Sequence, residues 1–331
     1  MATPKTSVPE LPPDAVVFGC SEQMKEVQQK VERIANTTLP VLIRGESGTG
    51  KEVIAKLLHQ RSSRKSGPFV KINCPAIPGT LMESELFGYE KGAFTGADGK
   101  KLGLVELAHG GTLFMDEIAE LDFGLQSKLL QLMQEGQFYA IGGQRERHVE
   151  VRFICATNRH LEQEIQARTF RQDLFYRIKV VTLSLPALRD RGRDIPVLIE
   201  HFLRNSSREF GRHPRPLSAA TMAALQRYSW PGNIRELENL VKSYVILDSE
   251  DVLRLELLQG EIGNNGNGST EDPTSLKGAV KALENRLILR TLEEHHWNRR
   301  SAARALKISY RSLLYRLSAL GQHVEPHAGN D

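Results

Sequence analysis

The stretch Gly45-Glu-Ser-Gly-Thr-Gly-Lys51 decides the fold of this chain. It follows an apolar run, Pro40-Val-Leu-Ile-Arg44, and precedes a helical pattern from Glu52 to His59. Glycines at this spacing let the backbone curl so that successive N–H groups point at phosphate oxygens, and the lysine adds a charge for the β- and γ-phosphates. The dipole of the following helix favours the same anion. The pattern therefore predicts a phosphate-binding loop between a strand and a helix.

Short apolar runs alternate with helical patterns as far as Pro186. Their β-branched, all-round apolar composition predicts buried parallel strands, and the alternation predicts an α/β domain with helices on both faces of the sheet. From Ile195 to Leu258 the pattern is helical only, which predicts a small second domain. The predicted strands are Pro40–Arg44, Phe69–Asn73, Thr112–Met115, Val151–Cys155 and Val180–Ser184.

Two carboxylates, Asp116 and Glu117, follow the third apolar run. A parallel strand delivers such residues to the carboxyl edge of the sheet, where ligands bind in open α/β sheets. We expect Asp116 to hold Mg²⁺, directly or through water, and Glu117 to polarise the water that attacks ATP. Paired acids at a strand end are more often a solvated turn, but the neighbouring phosphate loop favours the catalytic interpretation. ATP and Mg²⁺ are therefore the predicted cofactors.

The length and composition of the chain limit the classes of protein to which it can belong. At 331 residues the chain exceeds one typical domain, and its 40% apolar and 25% charged residues are those of an ordinary soluble protein. The longest apolar runs are strand-sized, so no membrane span is expected. The three cysteines, Cys20, Cys74 and Cys155, are isolated from one another and from any metal-ligand spacing. We expect them to be buried, reduced thiols in a cytoplasmic protein.

The basic charge is concentrated near the C-terminus. The net charge is +4 overall, yet residues 276–321 alone carry ten Lys or Arg against three Asp or Glu. This distribution suggests that nucleic acid binds at that end. A Gly/Asn-rich stretch, Gly263–Pro273, precedes the basic segment and predicts a flexible linker.

Within the basic segment, Ser301–Leu317 contains two helical patterns around a short turn at Lys307-Ile-Ser309, the spacing of a helix-turn-helix. Ser309 would cap the second, recognition helix. A basic coiled or bundled pair of helices is the alternative. The side chains expected in the major groove are Tyr310, Arg311, Ser312 and, further along the helix, Arg316. Those expected at phosphates are Arg299, Arg300 and Arg304.

Between the phosphate loop and the acidic pair lies Gly92-Ala-Phe-Thr-Gly-Ala97. Its two glycines bracket a small tip with one aromatic side chain, Phe94. An ordinary hairpin loop is the simplest interpretation, but an exposed aromatic among small residues is poor for solubility and good as a contact point. A second glycine-containing loop, Glu135–Gly143, is positioned in the sequence to support the first.

Because Gly92–Ala97 lies between a phosphate loop and an acidic strand end, the chain resembles the bacterial enhancer-binding proteins, the AAA+ activators of sigma-54 RNA polymerase. The resemblance runs from about residue 18 to residue 320. The resemblance implies an AAA+ P-loop NTPase core with a parallel sheet, a small helical lid and a C-terminal, all-α Fis-type helix-turn-helix domain. The expected division is a disordered lead-in (1–17), α/β ATPase subdomain (18–186), helical lid (187–260), linker (261–274), DNA-binding domain (275–321) and tail (322–331).

The resemblance also implies roles for individual residues. Asn73 would be a switch that holds Glu117 inactive, and Arg171 and Arg177 would be arginine fingers that reach the γ-phosphate of a neighbouring subunit. Residues implied to bind ATP are Gly45, Glu46, Ser47, Gly48, Thr49, Gly50, Lys51, Glu52, Asn158 and Arg235. Residues implied to contact sigma-54 are Gly92, Ala93, Phe94, Thr95, Gly96 and Ala97.

The function implied is an ATPase that remodels sigma-54 RNA polymerase holoenzyme from a closed to an open promoter complex while bound to enhancer DNA. Its expected assembly is a homo-oligomer, from dimer to hexameric ring. Only about 17 residues precede the ATPase, so we expect no N-terminal regulatory domain; either a separate protein regulates the chain or the chain is part of a longer one. Two alternatives remain: a DNA-binding regulator with a decayed ATPase, and an AAA+ motor that acts on nucleic acid itself.

Overall fold

A computed structural model describes residues 11–251, together with Leu253, Arg254, Thr291 and Leu313. The chain divides into two compact units, Met1–Asn264 and Asn265–Asp331. The helices and strands described lie in the first unit. The predicted lead-in lies largely outside the described residues, as do the predicted linker, helix-turn-helix and tail.

The described elements alternate between strands and helices up to residue 184 and are helical beyond it. The strands are β1 (Val41–Arg44), β2 (Phe69–Asn73), β3 (Gly88–Tyr89), β4 (Lys101–Leu102), β5 (Thr112–Asp116), β6 (Gln137–Tyr139), β7 (Glu146–His148), β8 (Arg152–Thr157) and β9 (Val181–Ser184). The α-helices are α1 (Asp14–Val17), α2 (Glu22–Ile34), α3 (Lys51–Gln60), α4 (Gly79–Phe87), α5 (Leu104–Leu107), α6 (Phe123–Glu135), α7 (Leu161–Gln166), α8 (Gln172–Ile178), α9 (Ile195–Phe210), α10 (Ala219–Arg227) and α11 (Asn233–Leu247). Short 3₁₀ helices span Cys74–Ala76, Ile118–Glu120 and Leu188–Asp194.

The main sheet of the described region is parallel, with strand order β2-β5-β8-β1-β9. Each of its strands is one of the predicted apolar runs, with bounds shifted by at most two residues, so the prediction of a parallel α/β sheet is confirmed. In the register, Asn73 lies opposite Asp116 and Arg44 lies opposite Thr157. The carboxyl ends of four strands therefore meet at one edge, which positions the candidate site.

Side chains along the central strands alternate between two apolar cores, one on each face of the sheet. Leu42, Met115 and Cys155 belong to one core, whereas Phe114 and Ile154 belong to the other. Both faces are thus covered, as the all-round apolar composition of the runs predicted.

Strand β8 begins at Arg152, a basic residue that is only 1% exposed. Its guanidinium donates to the backbone oxygens of Ala35 (2.7 Å) and Ile34 (2.9 Å), at the C-terminal end of α2. The terminal carbonyls of a helix lack partners within the helix, so a buried arginine here satisfies them and anchors α2 to the sheet. Burial lowers the pKa of Arg152 to about 10.

Helices α9, α10 and α11 form the predicted helical subdomain around a separate apolar core that contains Trp230, Leu237 and Tyr244. Ser218 caps α10 by accepting from the backbone N–H of Thr221 (3.2 Å). The last strand of the alternating part, β9, ends at Ser184, and α9 begins at Ile195.

The expectation for the cysteines is correct for two residues and wrong for one. Cys74 and Cys155 are buried, and burial raises the pKa of the Cys74 thiol to about 12. Cys20 is exposed because it lies in the turn before α2, where its backbone N–H donates to the carboxylate of Asp194 (2.7 Å) and its side chain is left outside. Among the residues described, no helix is both long and apolar enough to cross a bilayer.

Candidate functional site

A cavity of about 580 Å³ lies at the carboxyl edge of the sheet, between the α/β part and the helical part of the first unit. One wall is the glycine-rich loop and the start of α3, and the opposite wall is formed by α9 and α11. The polar and charged side chains that line it are Ser47, Thr49, Lys51, Glu52, Lys71, Asn73, Asp116, Glu117, His201, Arg235 and Glu238. Apolar side chains, among them Val17, Met24, Phe202 and Ile234, line the remainder.

The predicted phosphate loop turns sharply at two of its glycines. Gly48 (φ 77°) and Gly50 (φ 95°) adopt left-handed backbone angles that glycine alone takes at little cost. Lys51 begins α3 and is only 7% exposed. Its ammonium donates to the carbonyl oxygen of Gly45 (2.9 Å) and contacts Glu117 Oε1 (3.0 Å). Buried charge of this kind requires close partners, and here the loop backbone and the acidic strand end supply them.

Glu117 follows β5 in a left-handed conformation (φ 55°, ψ 56°) that a non-glycine residue rarely adopts. Besides its contact with Lys51, its Oε2 accepts from the backbone N–H of Asn158 (2.9 Å), just beyond β8. Such backbone strain concentrates at functional sites, because the surroundings must hold it in place. The strained turn brings the carboxylate to the phosphate loop, as the sequence predicted.

Asp116 ends β5 and lines the cavity beside Glu117. Burial, together with the neighbouring charge of Glu117, raises the pKa of Asp116, although Lys51 and Lys71 oppose the shift. Glu52 occupies the place where the general loop motif has Ser or Thr. Burial acts to raise its pKa, but bonds from Lys56 and Lys71 (Lys71 Nζ to Glu52 Oε2, 2.6 Å) hold it below its usual value.

The predicted ATP-binding residues do not all face the cavity. Gly45 and Asn158 are not part of the cavity lining. Gly45 packs against Thr49 and Leu185, and the backbone N–H of Asn158 donates to Glu117. The carboxylate of Glu46 turns away to pair with Arg189 (2.5 Å). The cavity is lined by the other predicted residues of the set: Ser47, Gly48, Thr49, Gly50, Lys51, Glu52 and Arg235.

The helical part reaches the loop directly. Arg235, on α11, donates to the hydroxyl of Ser47 (3.3 Å). Asn233 donates to the backbone oxygen of Ser47 (3.0 Å), and the buried guanidinium of Arg191 donates to that of Thr49 (3.3 Å). Of these three residues, only Arg235 is predicted from the sequence. Asn233 stands two residues before it in Pro231-Gly-Asn-Ile-Arg235, but its contact with a loop so far away along the chain has no local sequence signal.

The predicted switch residue, Asn73, ends β2 and lines the cavity. Within the described part of the chain, Glu117 is held by Lys51 and by the backbone of Asn158, and no bond joins it to Asn73. The switch role of Asn73 stays a prediction.

Arg171 immediately precedes α8, and Arg177 lies in its last turn. The guanidinium of Arg177 donates to the backbone oxygen of Met133 (2.8 Å). That of Arg171 pairs with Asp173 (2.8 Å) and lies over the ring of Phe123. The cavity lining described above contains neither arginine, so any action on a phosphate would have to be on that of another subunit.

The string Gly92–Ala97 forms the tip of a hairpin between β3 and β4. Gly92 (φ 84°) and Gly96 (φ 101°) make the turns that close it, and Phe94 is 45% exposed with its ring 4.9 Å from that of Tyr89. Ala97 differs from the prediction, because it is 5% exposed and its carbonyl oxygen accepts from Gly92 N–H (2.9 Å). It therefore shapes the tip instead of presenting a side chain at the surface.

The second predicted loop supports this hairpin. Ile141 exchanges backbone hydrogen bonds with the hairpin base, accepting from Glu90 N–H (3.0 Å) and donating to the Gly88 oxygen (2.9 Å). Arg147, on β7, pairs with both Glu90 and Glu106. The supporting role of this loop, as a structural contact, is confirmed.

Comparison with known families gives three consecutive matches. The sigma-54 interaction domain matches residues 17–184, the AAA+ ATPase lid domain residues 189–275, and the Fis family of bacterial regulatory proteins residues 279–320. The chain belongs to the sigma-54 activator family. An AAA+ P-loop NTPase fold with a helical lid and a C-terminal helix-turn-helix domain is thereby confirmed.

Full-length relatives of this sigma-54 activator are similar over most of its length. The response regulator protein PilR of Pseudomonas aeruginosa is 42% identical over 317 residues, which cover 94% of this chain and 71% of PilR. AtoC of Escherichia coli is 44% identical over 307 residues, covering 91% of this chain and 67% of AtoC. The crystal structure of NtrX from Brucella abortus in complex with ATP has a TM-score of 0.68 at 35% identity, covering 92% of this chain and 69% of NtrX.

The residues of the activator predicted to bind DNA lie outside the described residues, so their placement stays a prediction. The family match over residues 279–320 includes all of them. They are Arg299, Arg300, Arg304, Tyr310, Arg311, Ser312 and Arg316.

Proposed function

We propose that this chain is a ring-forming AAA+ ATPase that binds enhancer DNA and uses ATP hydrolysis to convert closed sigma-54 promoter complexes into open ones. The observation that carries the proposal is the combination, in one unit, of a phosphate loop in contact with Glu117 and a hairpin that exposes Phe94. A nucleotide-binding domain has no need of the second feature. NtrX, which shares the fold, was crystallised with ATP and with ADP.

The contacts at the carboxyl edge support the following roles in hydrolysis. The loop N–H groups and Lys51 would bind the phosphates, and Glu117 would orient and deprotonate the attacking water. In this structure Lys51 and the backbone of Asn158 both hold the Glu117 carboxylate. A phosphate oxygen that competes for Lys51 would loosen this hold and make the carboxylate available to water. Arg235 would bind nucleotide from the lid side.

The residues also fit a magnesium ion that arrives with ATP. Asp116 places a carboxylate in the cavity, and Mg²⁺ is usually bound by one or two carboxylates, phosphate oxygens and water. Glu52 is already paired with Lys56 and Lys71, so Asp116 would be the metal ligand. The chemistry supplied by bound magnesium would be neutralisation of charge on the phosphates.

Arg171 and Arg177 would complete the site of the neighbouring subunit, which requires a homo-oligomer, from dimer to hexameric ring. A guanidinium supplied in trans stabilises transition-state charge and can raise the rate by about 10³-fold or more. Their contacts with Asp173 and Met133 hold both side chains near α8, away from the chain's own cavity. The two arginines are equal candidates.

The hairpin tip would contact sigma-54 RNA polymerase holoenzyme through Gly92, Ala93, Phe94, Thr95 and Gly96. Its base is fixed by Ile141 and by the ion pairs of Arg147, so movement of the ATPase core would be passed to the tip. The C-terminal domain would hold the ring near the promoter by binding enhancer DNA. A separate regulatory protein is a further possible partner.

Steady-state ATP hydrolysis by the intact chain and by Lys51→Ala tests the enzymatic part. We expect the intact chain to hydrolyse ATP and Lys51→Ala to lose nucleotide affinity, because the charge facing the phosphates is gone. Lys65→Ala, which removes an exposed lysine just beyond α3, is the matched control and should retain activity. Hydrolysis by Lys51→Ala at the rate of the intact chain would contradict the assignment.

A further inference from the structure

Asn233 connects three segments around the candidate nucleotide site. It is the first residue of α11 and is 0% exposed. Its side-chain nitrogen donates to the backbone oxygen of Ser47 (3.0 Å) and to Glu46 Oε2 (3.1 Å), both in the phosphate loop. Its side-chain oxygen accepts from the backbone N–H of Leu188 (2.8 Å), at the start of the helical part. A single buried amide therefore ties the loop to the lid.

The polar partners allow only one orientation of this amide. A flipped Asn233 would set its NH₂ group against the N–H of Leu188 and its oxygen against the oxygen of Ser47. The backbone of Asn233 is left-handed (φ 54°), a conformation that asparagine tolerates better than most side chains. Both the backbone and the side chain of Asn233 therefore suit the position.

Backbone contacts beside Asn233 leave no room between the loop and the lid. The N–H of Ile234 donates to the oxygen of Gly48 (3.0 Å). A Cβ atom on Gly48 would lie 2.3 Å from the oxygen of Gly232. Because the two backbones are in direct contact, a change in the shape of the loop must move the start of α11, and the reverse also holds.

The carboxylate of Glu46 belongs to the same contact. It pairs with Arg189 as well as with Asn233, and these bonds hold the pKa of Glu46 below its usual value. Glu46 lies within the loop motif, yet its side chain points to the helical part and bonds with residues there. The Glu46 carboxylate therefore adds a second side-chain link between the loop and the helical part, and it is not part of the cavity lining.

We propose that Asn233 is a positioning residue that holds the phosphate loop in its binding shape and joins that shape to the orientation of the lid. This inference rests on the proposed ATP site. The lid then responds to the phosphates through the loop backbone at Ser47 and Gly48, in addition to the predicted direct contact of Arg235. Without Asn233 the loop would have to be ordered by the nucleotide itself, at the expense of affinity.

Two substitutions separate the side chain from the backbone. Asn233→Asp keeps the acceptor for Leu188 but removes both donors and places a second carboxylate beside Glu46. Asn233→Gly keeps the left-handed backbone without strain and removes all three bonds. Asn239→Asp, the same substitution at an exposed site on α11, is the matched control.

Calorimetric titration of the full chain with ADP and magnesium measures the effect. We expect the Kd of both Asn233 variants to rise about tenfold, equivalent to about 1.4 kcal/mol. The Kd of Asn239→Asp should match that of the intact chain. In hydrolysis assays KM for ATP should rise more than kcat falls, because Asn233 touches no reacting atom. Melting temperatures recorded alongside report stability separately from affinity.

A rescue variant gives the sharpest result. In the double variant Asn233→Asp, Glu46→Gln the amide and the carboxylate exchange places, so a hydrogen bond between the two side chains can form again. We expect the double variant to bind ADP at least about threefold more tightly than Asn233→Asp alone, as coupling between contacting residues requires.

The outcomes distinguish this inference from the function on which it rests. Variants with lower melting temperatures but unchanged Kd would show that Asn233 is only structural and would overturn the inference, as would the absence of rescue. Failure of the unaltered chain to bind ADP or ATP would refute the proposed function itself.

Discussion

The contact between the phosphate loop and the lid can be tested with three glycine-to-alanine substitutions. Gly48 has φ 77° and lies against the lid backbone, where a Cβ would be 2.3 Å from the oxygen of Gly232. Gly92 has φ 84° but has no atom within 4 Å of the added Cβ. Gly79, at the start of α4, has neither constraint. The series separates backbone strain from steric overlap.

The expected losses of unfolding free energy follow from these geometries. Gly79→Ala should be neutral or stabilising by up to about 1 kcal/mol, because alanine restricts the unfolded chain and favours helix. Gly92→Ala should cost about 1–2 kcal/mol for a left-handed alanine. Gly48→Ala should cost that strain and a further 1–3 kcal/mol or so, because the loop and the lid must separate to admit the methyl group.

Urea unfolding of the three variants, with ADP titration in parallel, is the assay. Gly48→Ala should also lose nucleotide affinity, because the displaced loop no longer directs its N–H groups at the phosphates. Gly92→Ala should retain it, because the hairpin tip is remote from the cavity lining. If Gly48→Ala costs no more than Gly92→Ala and binds ADP normally, the lid does not abut the loop as described.

Three further predictions concern the catalytic edge. Glu117→Gln should bind ATP but hydrolyse it very slowly, since water is no longer polarised; phosphate release at the rate of the intact chain would exclude the role. Asp116→Asn should raise the melting temperature at neutral pH, because the ionised carboxylate is disfavoured by burial and by Glu117. Because the pKa of Asp116 is higher in the folded than in the unfolded protein, the intact chain gains stability as pH falls through that folded pKa. The difference in melting temperature between Asp116→Asn and the intact chain should therefore shrink toward acid pH. A difference that does not change with pH would contradict a disfavoured Asp116 carboxylate as its cause. Arg171→Ala should abolish hydrolysis in uniform rings. Mixing it with Lys51→Ala should restore some activity, because a hybrid interface pairs an intact phosphate loop with an intact arginine finger. No recovery in demonstrably mixed oligomers would count against action in trans.

The fold was predictable because the signals that set it are local. Apolar content on every side marks a strand buried on both faces, and each predicted run is a strand of the main sheet. Bounds were less accurate where a tertiary contact extends an element. Strand β8 continues to Thr157 because its residues pair with β1 up to Arg44. The two-residue strands β3 and β4 have too little periodicity to be detected in sequence.

The candidate site was predicted in part, and the difference depends on distance along the chain. Lys51 and Glu117 belong to short motifs, and the structure brings them within 3.0 Å. Asn233 contacts Ser47 across 186 positions, and no local pattern specifies that pairing. Glu46 was assigned to the nucleotide by its place in the loop motif, but the side chain of a variable motif position is free to turn outward.

Cys20 shows how a general expectation fails at a particular turn. Cysteines outside disulfides are usually buried, but the segment before α2 is fixed through its backbone. Asp194 accepts from the N–H groups of Cys20 and Ser21 (2.9 Å for Ser21) and from the Ser21 hydroxyl. These bonds fix the main chain and leave the Cys20 side chain exposed, where its thiol donates to the backbone oxygen of Arg193 (3.4 Å).

Formation of open complexes on a sigma-54 promoter, measured with and without ATP, tests the central claim most directly. The intact chain should open the promoter only in the presence of hydrolysable ATP. Thr95→Ala should hydrolyse ATP yet fail to open it, because Thr95 is exposed at the hairpin tip, away from the cavity lining. An ATPase-active intact chain that leaves the promoter closed, or a Thr95→Ala variant that opens it normally, would contradict the account.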